Sequence, residues 1–261
     1  MKSNGYKNYL KRIKRNNILV LITQILIIVL FFVIWQYLAS KGKVNTFLVS
    51  SPNKVFDTIV DLIKSDNFFK HIYRTIYEIV ISFILGNLIG LVFASILWFS
   101  KFLSRVFEPF LNILNSLPKV ALGPLIIVCF GATTKSIIIM SLLISSIISI
   151  INIHNAFKTT DLNKMKIVKI MGGNKIDIYN RVVLPSNIPN IIESFKINVS
   201  MCFVGVIMGE FLVSKEGIGY LIIYGSQVFN MNLVITGIVL LVILTIILYY
   251  LVNLLEKVSK K

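Results

Sequence analysis

The chain has 261 residues, of which 56% are hydrophobic and only 15% are charged. Soluble domains average about 25% charged residues, so this composition excludes an ordinary soluble domain and indicates a polytopic membrane protein. The net charge of +16 is spread between apolar runs, and no basic face with interleaved aromatic residues is visible. The basic residues therefore favour an anionic membrane surface, and not nucleic acid, as their partner.

Six apolar runs are predicted to cross the membrane as helices, which makes the fold class an all-α polytopic membrane protein. About 20 apolar residues span the roughly 30 Å of hydrocarbon in a bilayer. The runs cover residues 18–40, 79–100, 107–130, 136–157, 187–213 and 233–255. The third run is predicted to be irregular, because Pro109, Pro118 and Pro124 lie within it and proline removes a helix donor.

Two shorter patterns add detail near the first two runs. The segment 52–63 has apolar residues at helical spacing and a polar opposite face, which predicts a helix lying along the membrane surface. In the second run, Gly86 and Gly90 are separated by three residues. This small-x-x-x-small spacing predicts that the second helix approaches a neighbouring helix closely.

The positions of the 27 basic residues predict the orientation of the chain. More than half of them lie at the N-terminus, at the C-terminal end or in the 158–186 loop, and these segments become cytoplasmic if the N-terminus is inside. Both termini are therefore expected to be cytoplasmic. The expected divisions are a basic N-terminus with the first transmembrane helix (1–47), a core with five further transmembrane helices (48–257) and a short cytoplasmic tail (258–261).

The 158–186 loop is predicted to be a helix–hinge–helix element at the cytoplasmic surface. Each half places apolar residues on one face, as amphipathic helices do. Gly172–Gly173 is expected to stop the first helix, since glycine adopts the left-handed conformation found at helix ends. Asn174 can cap the second helix, with Asp177 completing a near capping box. Leu184–Pro185 is expected to end the second helix. An ordinary interfacial loop is the alternative interpretation.

The second part of this loop resembles the EAA loop of ABC-transporter permeases. That motif reads E-A-A-x-x-x-G, followed after a spacer by I/V-x-L-P. The residues that match it are Gly172, Val182, Leu184 and Pro185. The E-A-A positions are occupied by Lys166, Ile167 and Val168, so the first half of the motif is degenerate.

Three further motifs extend the resemblance to the nitrate/sulfonate/taurine branch of that family, across about residues 48–257. Residues 117–131 are similar to the P-x-A-L-x-P-L…F-G segment of the branch. Residues 209–222 contain G-E followed by G-I-G-Y-L-I, which resembles A-E…G-L-G-Y-L-I. S-P-N-K-V at residues 51–55 is similar to the P-S-P-x-x-V that follows the first helix of the branch.

The resemblance implies a type I ABC importer permease in the bacterial plasma membrane, working as a homodimer within membrane lipid. Each copy would bind a cytoplasmic ABC ATPase, and an extracytoplasmic substrate-binding protein would deliver a small solute. The implied ATPase-coupling residues are Lys166, Ile167, Val168, Gly172, Gly173, Asp177, Arg181, Leu184 and Pro185. The chain has no G-x-x-x-x-G-K-[ST] sequence, so ATP and Mg would be bound by the ATPase and this chain would need no cofactor.

Polar residues inside the predicted spans are the candidates for a solute pathway, because such residues are costly in a membrane. Lys119 would meet an anionic solute, or else extend its ammonium group to the interface. Glu210 would reach the interface or shape an outer gate. Ser141, Ser145 and Ser149 recur every four residues on one helix face, which indicates either tight helix packing or the polar wall of a pathway.

Two other classes of membrane protein are the alternatives to a permease. An ion-coupled secondary transporter would show acidic relays within the membrane and inverted repeats. Glu193 is expected to pair with Lys196, which leaves Glu78 and Glu210 near membrane depth, and no repeat is visible. A non-transporting membrane scaffold is the other alternative. An enzyme is disfavoured, because the sequence shows no Ser/His/Asp, paired-carboxylate or metal-ligating constellation.

Overall fold

The computed structural model describes residues 4–65 and 67–259, and all regular elements in those residues are helices. The helices of the first half are α1 (Asn4–Ser40), α2 (Thr46–Val49), α3 (Pro52–Lys64), α4 (Asn67–Phe99), α5 (Lys101–Ser116) and α6 (Gly123–Phe130). The helices of the second half are α7 (Thr134–Lys158), α8 (Leu162–Ile170), α9 (Lys175–Ile178), α10 (Leu184–Val213), α11 (Ile218–Gln227) and α12 (Met231–Ser259). Residues 1–3 of the predicted N-terminal segment and 260–261 of the predicted tail lie outside the described residues.

Five helical stretches in the described residues are long and apolar enough to cross a membrane. They are Lys11–Ser40, Phe68–Phe99, Thr134–Lys158, Lys175–Val213 and Met231–Leu254. A sixth crossing results if α5 and the segment Lys119–Phe130 are counted together, although the two are bent by 89° at the break between them. The prediction of an all-helical chain with an irregular third span is therefore confirmed.

The core is centred on α7, which packs against α4 and against α10 more extensively than any other two helices pack together. Three serines of α7 are fully buried between α4 and α10. Glycines of the neighbouring helices face them, Gly86 against Ser145, Gly90 against Ser149 and Gly205 against Ser141. A side chain at any of these glycines would collide with the facing serine. The close approach predicted from the Gly86–Gly90 spacing is confirmed.

Buried amide groups add hydrogen bonds to this glycine–serine seam. Asn198 Nδ2 of α10 donates to Asn87 Oδ1 of α4 at 2.8 Å, and Ser149 Oγ donates to the same oxygen at 3.4 Å. Asn87 Nδ2 donates to the carbonyl of Phe83 at 2.8 Å. Apolar contacts alone would allow the helices to shift along one another. These hydrogen bonds form in only one alignment, so they fix the register of the three helices.

The short helix α3 matches the amphipathic helix predicted at residues 52–63. Ser51 Oγ accepts a hydrogen bond from Lys54 N at 3.4 Å, and Pro52 is at the first helical position. Both features favour a helix start at this point. Val55 is buried, whereas Phe56 on the other side is 66% exposed. The helix prediction is therefore confirmed.

The predicted helix end at Pro185 is wrong. Helical backbone continues from Lys175 to Val213, through a π segment at Tyr179–Val183 and past Pro189 within α10. Leu184 N donates to the carbonyl of Tyr179, five residues back, so the wider turn has formed just before the proline that lacks a donor. The π segment lets the helix continue past Pro185, whereas proline would disrupt an ordinary α-helical turn at this point.

Candidate functional site

The joint of the 158–186 loop has two consecutive helix caps. Gly173 N donates to the carbonyl of Val168 at 2.9 Å, and Gly172 N donates to the carbonyl of Lys169 at 3.1 Å. Gly172 has φ of +84°, the left-handed conformation that this pair of bonds requires and that glycine adopts without strain. The predicted stop of the first helix is confirmed.

A capping box begins the second helix immediately after this stop. Asn174 Oδ1 accepts hydrogen bonds from Ile176 N at 2.8 Å and from Asp177 N at 2.9 Å. Asp177 Oδ2 accepts from Asn174 N at 2.9 Å, which completes the reciprocal arrangement. The predicted cap is confirmed. Both sides of the joint are thus held by backbone bonds, so α8 and α9 keep a defined angle.

The inner face of the loop packs on the end of α4 through an aromatic cluster. The ring of Tyr179 lies 5.4 Å from that of Trp98, 5.0 Å from Phe99 and 5.8 Å from Phe157 of α7. The Tyr179 hydroxyl also forms a hydrogen bond with Ser95 Oγ at 2.6 Å. Aromatic pairs in such edge and tilted geometries add roughly 0.5–1.5 kcal/mol each beyond their buried area. Displacement of the loop therefore has to move α4 or break this cluster.

Lys175 strengthens the same contact from the side. Its Nζ donates a hydrogen bond to the carbonyl of Phe99 at the C-terminal end of α4. The ammonium group also lies over the Trp98 ring, 5.6 Å from its centroid. A cation in this place satisfies a terminal helix carbonyl and is attracted to the negative face of the ring.

A second connection ties the loop to α7 and α10. Asn187 of α10 is buried, and its Nδ2 donates to Thr160 Oγ1 at 2.7 Å and to the carbonyl of Val183 at 2.8 Å. Thr160 directly follows α7, so this amide joins the exit of one membrane helix to the entry of the next. The loop is thereby connected to all three core helices.

The outer side of the loop exposes large apolar side chains, here called the loop tip. Its residues are Ile167 (57% exposed), Ile170 (85%), Met171 (80%) and Ile176 (60%). Leu162 is also 68% exposed, whereas Met165 and Val168 are half-buried. A cluster of exposed apolar residues marks a surface that interacts with a protein or with a membrane.

The predicted coupling residues divide between the two sides of the loop. Five of them are exposed, namely Lys166, Ile167, Gly172, Arg181 and Pro185. Four are half-buried, namely Val168, Gly173, Asp177 and Leu184. Tyr179, Trp98 and Lys175 were not predicted, although an aromatic pair at residues 98–99 and a tyrosine in the loop were visible in the sequence. The sequence does not show that Tyr179 and Lys175 contact Trp98, about eighty residues earlier in the chain.

Glu210 is fully buried near the end of α10 and caps α11. Its Oε2 accepts from Gly219 N at 2.6 Å, and its Oε1 accepts from Thr75 Oγ1 of α4 at 2.6 Å. Thr75 Oγ1 in turn accepts from Ile218 N at 2.8 Å. Gly217 has φ of +113°, and any side chain there would collide with the Glu210 carboxyl group. This Glu210 network satisfies the first donors of α11 and joins it to α4.

Two more contacts hold the turn before α11. His71 Nδ1 accepts a hydrogen bond from Gly217 N at 3.0 Å. Lys70 Nζ forms an ion pair with Glu216 Oε1 at 2.9 Å, and this hydrogen-bonded ammonium keeps the pKa of the Glu216 carboxyl group below its usual value. The turn is therefore anchored to α4 at two successive residues as well as through Thr75.

The predicted pathway residues lie in different environments. Ser141, Ser145 and Ser149 are buried in the helix seam described above, a placement that favours packing over a pathway wall. Lys119 lies at the break between α5 and α6, where its Nζ donates to the Asn115 carbonyl and Oδ1, both at 3.1 Å. Contact between a solute and Lys119 or Glu210 stays a prediction.

A cavity of about 370 Å³ lies between α7 and α10, beside the coupling loop. It is lined by Asn152, Asn155, Ala156, Thr159, Asn190, Glu193, Ser194 and Ile197. Within the described residues, no group of three or more His, Cys, Asp or Glu side chains is placed to hold a metal ion. The loop with its exposed tip and this polar cavity are thus the two candidate functional features at one end of the core.

Relatives of this sequence include several proteins named as transport permeases. A Haemophilus influenzae protein named as an ABC transporter permease is 28% identical over 230 residues, which cover 88% of this chain and 93% of that protein. The Bacillus subtilis protein SsuC, named as an aliphatic sulfonates transport permease, is 28% identical over 207 residues, covering 79% of this chain and 75% of SsuC. ThiX of Halalkalibacterium halodurans, a formylaminopyrimidine transport permease, is 25% identical and covers 75% of this chain and 77% of ThiX.

The fold is similar to that of solved importer subunits. A chain of the MetNI methionine ABC transporter, in an inward-facing conformation, superposes with a TM-score of 0.65 at 19% identity, covering 73% of this chain and 95% of that one. A chain of an amino acid ABC transporter gives a TM-score of 0.60 at 16% identity, covering 76% of this chain and 97% of that one. The fold class is therefore that of the type I ABC importer permeases.

The helical fold and the family match together define a multi-pass membrane permease. The sequence profile described as "Binding-protein-dependent transport system inner membrane component" matches residues 86–261. The chain belongs to this family, and it is the permease subunit of an ABC importer. The resemblance read from the loop motif and from the motifs of the nitrate/sulfonate/taurine branch is confirmed.

Proposed function

We propose that the 158–186 loop couples this permease to a separate cytoplasmic ABC ATPase through the loop tip. The observation that carries the proposal is the two-sided construction of the loop. Its inner face is fixed to the core by Tyr179 and Asn187, while its tip presents Ile170 and Met171 almost fully exposed. ATP and Mg would be bound by the ATPase, and this chain would supply neither a cofactor site nor a catalytic residue.

The geometry accounts for transmission of force from the tip to the membrane helices. The caps at Gly172 and Asn174 hold α8 and α9 at a defined angle, so a shift of the tip moves the loop as one unit. Tyr179 passes that shift to α4, and Asn187 passes it to α7 and α10. Closure of the ATPase around ATP would supply the differential contact that a two-state change requires.

The proposal includes the orientation and the other partners. The loop and both termini would be cytoplasmic, and the turn that contains Glu216 would face outward. A homodimer within lipid would enclose the solute pathway, and an extracytoplasmic binding protein would deliver the solute. Relatives are named for aliphatic sulfonates, formylaminopyrimidine and riboflavin, so the solute of this chain would also be a small molecule.

The test of coupling is a reconstitution of the permease with the ATPase and binding protein encoded beside it. Ile170→Asp places a charge in the apolar tip and is expected to weaken ATPase binding at least tenfold, measured by co-purification at graded ATPase concentrations. Phe229→Asp is the matched control, because Phe229 is 71% exposed at a turn far from the loop. Equal ATPase affinity in the two variants would contradict the proposal.

A second variant separates docking from transmission. Gly172→Trp is expected to retain the ATPase but lose coupling of ATP turnover to uptake, since the bulk of the indole prevents close packing at the joint. Gly172→Ala bears the same strain of a left-handed backbone without the bulk and serves as the control. Normal coupled uptake by Gly172→Trp would refute the transmission role.

The same reconstitution distinguishes the two alternative functions. Uptake that persists without any ATPase and depends on an ion gradient would identify a secondary transporter. An assembled complex that never shows solute-dependent ATP turnover would identify a scaffold.

A further inference from the structure

The cavity between α7 and α10 is built from two matching stripes of side chains. On α7 the lining residues are spaced at i, i+3, i+4 and i+7 from Asn152, and on α10 they have the same spacing from Asn190. Such spacing places each set on one helix face. The volume of about 370 Å³ falls within the range of small-molecule sites, roughly 300–1,000 Å³.

The charge of the lining is unusual for a chain with a net charge of +16. Three carboxamides, Asn152, Asn155 and Asn190, share the cavity with the carboxylate of Glu193. Among the described lining residues there is no Lys or Arg, and Lys196 is not part of the lining. An anion entering this space would meet the like charge of Glu193 and no cation among the lining residues, which is unfavourable at short range.

One buried hydroxyl at the cavity has no partner. Ser194 lines the cavity, is 2% exposed, and its Oγ has no hydrogen-bond partner among the described residues. Buried polar atoms are normally hydrogen-bonded, and an unpaired one costs roughly 1–3 kcal/mol. Because this oxygen has almost no accessible area, a bound molecule would supply the missing partner once the Ser194 side chain has turned toward the cavity.

The cavity is connected by hydrogen bonds to the coupling loop. Asn190 Nδ2 donates to Asn187 Oδ1 at 3.0 Å, and Asn187 is the residue whose amide joins Thr160 to Val183. A molecule that contacts Asn190 is therefore one hydrogen bond away from the residue that links the loop to two core helices. A solute bound in this place could therefore change the hydrogen bonds that hold the loop.

We propose that this cavity is a solute site of the permease, and that it selects small uncharged or cationic molecules rich in N–H donors. Carboxamides both donate and accept, Glu193 accepts only, and Ser194 can do either, so the lining complements amino and ring nitrogen groups better than it does sulfonate or carboxylate. This inference rests on the proposed permease function and adds the class of substrate. Lys119 would suit an anionic solute, whereas this cavity indicates an uncharged or cationic one.

The experiment measures binding to the full permease–ATPase complex in lipid nanodiscs, without the binding protein, so that only the permease decides selectivity. The two probes are radiolabelled formylaminopyrimidine, a nitrogen-rich molecule, and radiolabelled butanesulfonate, an anion. We expect saturable binding of formylaminopyrimidine at least tenfold tighter than that of butanesulfonate. Glu193→Gln and Ser194→Ala should each weaken formylaminopyrimidine binding, by tenfold or more for Glu193→Gln, and Glu193→Lys should reverse the preference.

Matched controls remove the same groups elsewhere. Glu108→Gln removes an exposed carboxylate, and Ser200→Ala removes an exposed hydroxyl on α10, so neither should change binding. Butanesulfonate binding as tight as that of formylaminopyrimidine, no saturable binding of either probe, or binding unchanged in Glu193→Gln would overturn the inference. Permease-dependent ATP turnover is measured in the same nanodiscs: if turnover persists while binding fails, only the site is refuted, and if turnover is absent, the proposed function fails.

Discussion

At the scale of single residues, Glu210 shows how one buried carboxyl group can organise several segments. It accepts from Thr75 of α4 and from the backbone of Gly219 in α11, and Gly217 leaves the space for its oxygen atoms. The G-E and G-I-G-Y-L-I motifs were recognisable in the sequence. That the carboxyl group of the first accepts a hydrogen bond from the backbone of the second was not. The hydroxyl that completes the network is 135 positions away in the chain.

The first prediction concerns the carboxyl group itself. Glu210→Gln keeps the shape but turns an N–H toward Thr75 or Gly219, both of which donate to this side chain. We expect a loss of about 1–3 kcal/mol in the free energy of unfolding, the range for leaving a buried donor without an acceptor. The measurement is the temperature at which heating exposes buried Cys202 to a thiol-specific dye. A Cys129→Ser background removes the other free cysteine.

The control for this prediction is Glu108→Gln. Glu108 forms an exposed pair with Lys158 at 3.1 Å, and such pairs contribute about 0–1 kcal/mol. Its unfolding temperature should hardly change. A Glu210→Gln protein as stable as Glu108→Gln would show that the network does not hold α11 in place.

The second prediction compares two glycines in the left-handed conformation. Gly217→Ala adds backbone strain and a collision with the Glu210 carboxyl group, whereas Gly42→Ala, at φ of +67°, adds strain with no atom within 4 Å. We expect Gly42→Ala to cost about 1–2 kcal/mol and Gly217→Ala considerably more. The measurement is the yield of folded, monodisperse protein that each variant gives in detergent. Equal yields would mean that the space beside Glu210 is not restricted.

At the scale of secondary-structure elements, the loop shows what local sequence patterns can and cannot predict. The stop at Gly172 and the cap at Asn174 were both predicted, because each depends on bonds within a few residues of the chain. The end at Pro185 was predicted wrongly, since the π segment that accommodates this proline is stabilised by packing. Val182 and Val183 are buried against the core and hold the extra residue of the wide turn in place.

The third prediction tests this π segment. Deleting exposed Asn180 removes its extra residue and should rotate α8 and α9 by about 100° relative to α10. Tyr179 would then leave the Trp98–Phe99 cluster, while the tip stays intact. We expect normal ATPase binding with loss of solute-stimulated ATP turnover. Deletion of Lys43, in the turn after α1, is the control, and retained stimulation in the Asn180 deletion would refute the role of the π segment.

At the scale of the whole molecule, the spans were predictable and their arrangement was not. Hydropathy and length are local properties, so the runs at 18–40 and 136–157 fall within helices of the structure, as does the run at 79–100 apart from Ser100. The serine stripe of α7 left both packing and a pathway wall open, because the sequence does not show that glycines of α4 and α10 face it. The polar cavity was likewise not predictable, since its two stripes of residues lie on helices separated by the whole 158–186 loop.

The fourth prediction concerns the orientation of the chain in the membrane. In a background without Cys129 and Cys202, Lys215→Cys should react with a membrane-impermeant maleimide in intact spheroplasts. Asn163→Cys, exposed on α8, should react only after the membrane is permeabilised. Labelling of both positions in intact spheroplasts, or the reverse pattern, would contradict cytoplasmic termini and a cytoplasmic loop.

The exposed tip also has a consequence for how the cell makes this protein. Ile170 and Met171 are 85% and 80% exposed, and apolar side chains left in water are what chaperones and membrane proteases recognise. If the tip docks on an ATPase as proposed, a copy of the permease synthesised without that partner would expose a degradation signal that the complex covers. The steady-state amount of permease should therefore follow the supply of the ATPase, so that subunit stoichiometry is set by turnover as well as by synthesis.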